Sequence, residues 1–204
     1  MRPAFFARPT LEVTRDLIGM RLVHETADGT AGGVIVEVEA YIGEDDPACH
    51  AAPGPTPRNA PLYGPPGVSY VYFNYGVHWM VNVVTEPEGS PAAVLIRAIQ
   101  PDVGLDLMRA RRARVKRGSA DALAEWTGRD ADLCRGPGNL TRALAITGAE
   151  NRQTLSAGPL RIERPSRRPD WPVAWSPRIG IRVGTEHRWR AYVPGHPSVS
   201  GRPR

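Results

Sequence analysis

Residues 70–84 read YVYFNYGVHWMVNVV, an alternation interrupted once, at Gly76. Side chains alternate faces along a strand, so Tyr70, Tyr72 and Asn74 fall on one side and Val71, Phe73 and Tyr75 on the other, and the pattern resumes from His78 to Thr85. Two such arms around a glycine are the signature of an antiparallel hairpin with its turn at residues 74–77. A second alternating run, VIVEVEAYIG at 34–43, sets Val34, Val36, Val38 and Ala40 against Ile35, Glu37, Glu39 and Tyr41. A chain carrying both runs is committed to an antiparallel sheet. Glu39 and Tyr41 then share one strand face, the place where chemistry is expected, although glutamates on the open face of such a strand are often merely solvated.

Hairpin tips usually carry small polar residues, which tolerate the turn dihedrals and face water. Tyr75 breaks that habit: the ring either folds back on its own strands or serves as a wedge entering a base stack. The 26 Lys and Arg against 21 Asp and Glu leave a net charge of +5, which suits a polyanionic partner without proving one. Lys116 is the sole lysine. Cys49 and Cys134 have no spacing that suggests a disulfide framework or a zinc ribbon, and Cys49-His50 with Asp45 and Asp46 matches no common zinc site, so no metal is expected. With no signal peptide and no apolar run near the ~20 residues of a membrane span, the expectation is a cytoplasmic, nucleoid-associated protein without membrane contact. The length favours one domain over residues 1–204 and a monomer.

Residues 9–18 read as a short helix with Thr10 near its cap and Gly19 as its stop, followed by a strand at 20–25 that turns at Asp28-Gly29 into the Glu39 strand. Residues 43–67, rich in Pro and Gly, should form a long ordered loop of functional kind; they contain His50, Thr56, Arg58 and Asn59. Residues 92–99 read as a buried strand in which Arg97 needs a carboxylate or phosphate partner. A helix is expected over 102–117, with Arg109, Arg111, Arg112, Arg114, Lys116 and Arg117 forming a solvated basic face or a phosphate track. A second helix, opening at Gly138 and Asn139 in GPGN, has N–H groups that could hold a phosphate. Further strands are expected near 160–162, 179–183 and 189–193.

EVEAY, DPACHA, TPRN, YVYFNYGVHWMVNVV, AVLIRA, LCRGPGNL and PRIGI follow one another at a spacing that resembles the alkyladenine (3-methyladenine) DNA glycosylase family. The resemblance runs from about residue 7 to residue 200. It implies a mixed α/β (α+β) domain with a curved antiparallel sheet, flanking helices and a protruding β-hairpin. It implies a base-excision enzyme that needs no cofactor and acts on double-stranded DNA carrying damaged purines. By the same resemblance Glu39 is the general base for water, assisted by Arg97 and by a backbone carbonyl, that of Ile179. Tyr41 on one side and His50 with Tyr72 on the other sandwich the flipped base, Asn82 opposes a guanine 2-amino group, and Tyr75 fills the gap in the duplex. Thr56, Arg58, Gly138 and Asn139 fall where the DNA backbone is expected. Departures are Cys49 in place of a small residue, Asn139 where some relatives have lysine, and Ser198 in place of an aromatic.

The chemistry of base removal asks for these residue types. The base must leave the stack, at a cost of a few kcal/mol, and aromatic walls return about 1–3 kcal/mol per base. Departure leaves cationic character on the sugar, so one carboxylate can orient water and stabilise charge together. Glu37 is assigned to structure or solvent. Two alternatives use the same residues: a carbohydrate glycosidase with Glu37 and Glu39 as an inverting pair, and a non-catalytic nucleic-acid-binding module.

Overall fold

The computed structural model describes residues 1–74, 76–113 and 125–201. Its strands are β1 (Arg21–Thr26), β2 (Gly29–Ile42), β3 (Ser69–Asn74), β4 (His78–Val84), β5 (Ala92–Val103), β6 (Leu160–Glu163), β7 (Ala174–Ser176) and β8 (Arg190–Tyr192). They form one antiparallel sheet in the order β3-β4-β5-β2-β1-β6, with β8 added to β2 and β7 to β8.

The 14-residue β2 organises this sheet. One edge pairs with β5 along Gly32–Ile42, while the other is shared, β1 taking Gly29–Val34 and β8 taking Glu37–Glu39. Glycine is required where β2 meets the end of β5, because a Cβ on Gly33 would lie 2.1 Å from the Gln100 carbonyl oxygen. The β2–β5 register shifts on both sides of Glu37, and such bulges curl a sheet and re-aim its side chains. With both faces covered, every residue from 31 to 40 is buried, so β2 lacks the open polar face that alternation suggested. Glu37 and Glu39 are both 0% exposed.

The helices among the described residues are α1 (Pro3–Phe6), α2 (Thr10–Leu17), α3 (Leu105–Arg112) and α4 (Pro137–Ala143). Helix α2 stands where periodicity put it. Helix α3 is shorter than expected, because Asp102 and Val103 still belong to β5 and the helix begins only after Gly104. Its arginines are not a solvated face throughout. Arg111 donates to the Ala143 carbonyl and Thr26, and Arg112 is buried against the Trp126 ring. Arg114, Lys116 and Arg117 lie outside the described residues. Helix α4 starts at Pro137, one residue ahead of the expected opening.

The strand expected at 179–183 is absent; β7 lies earlier in the chain and residues 179–183 are irregular. The backbone there is claimed by side chains instead of a neighbouring strand, as the Ile179 amide donates to Glu39. Phe6, Leu17, Ile35, Ile96, Met108 and Leu140 belong to the main core, in which the helices pack on the sheet. A second cluster, with Ala51, Leu62, Tyr70, Val84 and Ala93, joins the 43–67 loop to the sheet. No helix among the described residues is long and apolar enough to cross a membrane.

Candidate active site

A cavity of about 460 Å³ opens where the hairpin, the 43–67 loop and the 179–183 loop converge. Tyr41, His50, Tyr72, Asn82, Arg97 and Ile179, which the sequence scatters over 139 positions, all line it. Strands β3 and β4 pair Tyr72 with Met80 and Tyr70 with Asn82, so alternation presents Tyr72 and Asn82 to the same side. The Asn82 side-chain N–H donates to the Tyr70 carbonyl at 2.9 Å, which leaves its amide oxygen as the free acceptor.

His50 reaches the cavity because its loop is fastened. The Asn59 amide donates to the carbonyls of His50 (2.7 Å) and Gly54 (2.9 Å), while Thr56 and Asn59 exchange backbone–side-chain bonds. The His50 ring sits 4.5 Å from that of Tyr72, and its Nδ1 is 2.8 Å from the Tyr70 hydroxyl. Burial, and secondarily the Arg58 charge, lowers its pKa below the ordinary imidazole value, which favours the neutral ring. Cys49 beside it is buried, and that burial pushes its thiol up to about 11.

Glu39 lies directly behind this lining. Its Oε2 accepts from the Tyr41 hydroxyl (3.0 Å) and Arg97 Nη1 (3.1 Å), and its Oε1 accepts the Ile179 amide at 2.7 Å. All three donor residues face the cavity. A carboxylate has about four acceptor positions, so one on Oε1 remains for a small donor such as water. The contact that Ile179 makes with Glu39 is through its N–H.

Glu37 is enclosed by donors. Arg97 Nε (3.0 Å), Arg190 Nε (2.8 Å), the Ser200 hydroxyl (2.9 Å) and the Ser200 amide (2.6 Å) all bind it. Arg97 thus bridges the two carboxylates and meets the partner requirement read from its apolar surroundings. With four donors on its two oxygens and no exposed surface, Glu37 is structural and not solvated. A paired-carboxylate glycosidase would need it free.

The remaining candidates divide. Thr56 is occupied in the loop turn, and Arg58 is exposed with its guanidinium 5.8 Å from the Tyr72 ring centroid. Gly138 is roofed by His78, since a Cβ there would lie 2.6 Å from the imidazole, and the Asn139 amide donates inward to the Arg135 carbonyl at 2.7 Å. Tyr75 lies outside the described residues; beside the tip, Val77 is exposed.

The model of the family described as "Methylpurine-DNA glycosylase (MPG)" matches residues 4–197. The chain belongs to the methylpurine-DNA glycosylase family. It is similar to proteins named "Putative 3-methyladenine DNA glycosylase" from Rhodopseudomonas palustris strain CGA009, 48% identical over 91% of this chain and 81% of the relative, and from Burkholderia lata, 46% identical over 97% and 89%. The counterpart of Salinibacter ruber is 45% identical over 97% of this chain and 94% of its own length. As a member of a DNA glycosylase family, the protein has DNA as its substrate and processes alkylated bases in DNA repair.

Residue reasoning missed several parts of this methylpurine-DNA glycosylase site. Asn59 fastens the loop, Arg190 and Ser200 hold Glu37, and Asp46 and Arg178 pair with each other beside Tyr41. Asp46 and Arg178 stand inside the DPACHA and PRIGI motifs, so position within a motif was the available signal. Arg190 and Ser200 offered none, because their role appears only when β8 pairs with β2.

Proposed function

We propose that this protein is a monofunctional hydrolase that flips alkylated or deaminated purines, among them 3-methyladenine, hypoxanthine and ethenoadenine, out of duplex DNA and hydrolyses the N-glycosidic bond. The observation that carries this reading is the Glu39 carboxylate, held by Tyr41, Arg97 and Ile179 at the back of an aromatic-walled cavity with one acceptor position open. The base stacks among Tyr41, His50 and Tyr72, with Asn82 against its edge and Tyr75 filling the vacated stack. Water at Glu39 Oε1 attacks C1′ of the sugar and gives its proton to the carboxylate, while the C–N bonding pair leaves with the base. An alkylated purine that carries positive charge departs neutral, whereas a neutral purine such as hypoxanthine or ethenoadenine takes a proton from water as it leaves and the proton held by Glu39 returns to water. Glu39 also faces the cationic character that develops on the sugar, an electrostatic effect strengthened in a dry site. The carbonyl of Ile179 is kept as a further acceptor for that water. The DNA backbone is met by Arg58, whose guanidinium lies 5.8 Å from the Tyr72 ring centroid, together with Thr56 and the backbone N–H groups of Gly138 and Asn139.

Incubation with a hypoxanthine-containing duplex should release free hypoxanthine from the wild-type protein. Glu39→Gln should lower the single-turnover rate by at least about a thousandfold, loss of general-base and charge stabilisation together, with duplex affinity retained. Excision by this variant near the wild-type rate would remove Glu39 from the role of base.

A further inference from the structure

Against the ring of Tyr41, and outside the cavity lining, stands an ion pair whose side chains are both 0% exposed, Arg178 with Asp46. Arg178 Nη1 and Nη2 donate to Asp46 Oδ2 (2.5 Å) and Oδ1 (2.7 Å), and the same nitrogens reach the carbonyls of Ala40 (3.0 Å) and Gly184 (3.3 Å). The guanidinium carbon lies 4.7 Å from the Tyr41 ring centroid and 5.1 Å from that of Trp189. Asp46 in turn accepts the backbone amides of Ile42 and Ala48.

This pair ties together three segments that must agree for Glu39 to work. Ala40 is the residue between Glu39 and Tyr41, Asp46 and Ala48 begin the loop that carries His50, and Ile179, the residue after Arg178, places its amide on Glu39. The fit around the pair is close: a Cβ on Gly184 would lie 2.9 Å from Arg178 Nη2 and 3.3 Å from Asp46 Oδ1. Buried ion pairs gain little over apolar residues of equal volume, because desolvation offsets their attraction. What a planar, five-donor guanidinium does supply is fixed geometry towards several acceptors at once.

We infer that Arg178 and Asp46 are the positioning pair of the excision reaction, holding Glu39, Ile179 and Tyr41 in the arrangement the transition state needs without touching substrate. The inference rests on the base-excision reading above. Arg178→Lys keeps the charge but cannot span both Asp46 oxygens and two carbonyls, nor lie flat between Tyr41 and Trp189. Asp46→Asn keeps the shape and loses the charge.

The test is single-turnover excision from a hypoxanthine duplex at saturating protein, per active molecule counted by tight-binding titration, with duplex affinity measured separately by anisotropy. Arg178→Lys should slow excision about a hundredfold, the scale of a misplacement near 1 Å, and Asp46→Asn about tenfold, with affinity changed less than threefold in each. A merely structural pair would lower the melting temperature and the active fraction while leaving the rate per active molecule unchanged, and that result would overturn the inference. Should Arg178→Lys fail to fold, an unchanged rate in Asp46→Asn is equally decisive. Wild-type protein that releases no purine from hypoxanthine or 3-methyladenine duplexes would fell the excision reading and the inference with it. Active wild type with unaffected variants fells the inference alone.

Discussion

Arg97 serves two carboxylates with unlike duties, one at the cavity and one sealed behind it. Glu37 compensates Arg97 and Arg190 together, so removing its charge leaves the buried Arg190 without a carboxylate and Arg97 with Glu39 alone. Breaking a buried pair on one side costs about 3–5 kcal/mol, which in a domain of this size corresponds to a melting temperature lower by roughly 6–20 °C. Glu37→Gln should show that drop in a thermal melt while retaining measurable excision, in contrast to Glu39→Gln, which should melt closer to wild type and excise nothing. An unchanged melting temperature would contradict the role given to Glu37. Arg97 was legible as a residue in need of an anion, because a guanidinium among Ile96, Ala98 and Ile99 cannot stand alone. That both anions would come from β2 was not, since the bulges around Glu37 decide where those side chains point and alternation carries no trace of a bulge.

Among the elements, the hairpin was the most legible: alternation interrupted by one glycine marks two strands and the turn between them, while the register that sets Asn74 opposite His78 and Tyr70 opposite Asn82 comes from the fold. Residues 179–183 misled because Ile, Ile and Val around glycine mimic a strand, whereas hydrogen bonds to side chains can hold such a segment without a partner strand. The 43–67 loop was recognisable as ordered, but its fastening through Asn59 depends on which carbonyls happen to lie near, His50 and Gly54, and that is a property of the folded loop. The hairpin also carries a prediction of its own. If Tyr75 fills the space of the flipped nucleotide, Tyr75→Ser should slow excision from duplex at least about tenfold more than from single strands, where no stack must be held open. Stability should hold, as a tip side chain contributes little to the core. Equal slowing on both substrates would make Tyr75 a packing residue.

For the molecule as a whole, the curled sheet gathers chemistry from distant stretches at one mouth: a strand lays down the carboxylate, the hairpin and the 43–67 loop supply walls, and the chain near residue 179 closes the back. Among the described residues that line that mouth, none carries an amine. A glycosylase that also cleaves the backbone does so through a Schiff base on an amine, and the sole lysine is Lys116. Borohydride added during turnover should therefore trap no protein–DNA adduct, while abasic sites accumulate in proportion to released base; a covalent adduct on a denaturing gel would refute the monofunctional reading. The wall itself includes a thiol, that of Cys49. The thiolate is the form that attacks methylating agents, and burial, which pushes the thiol up to about 11, keeps Cys49 in the less reactive thiol form at neutral pH. The burial that builds the pocket wall thus also lowers the reactivity of that thiol towards the alkylating agents that methylate bases.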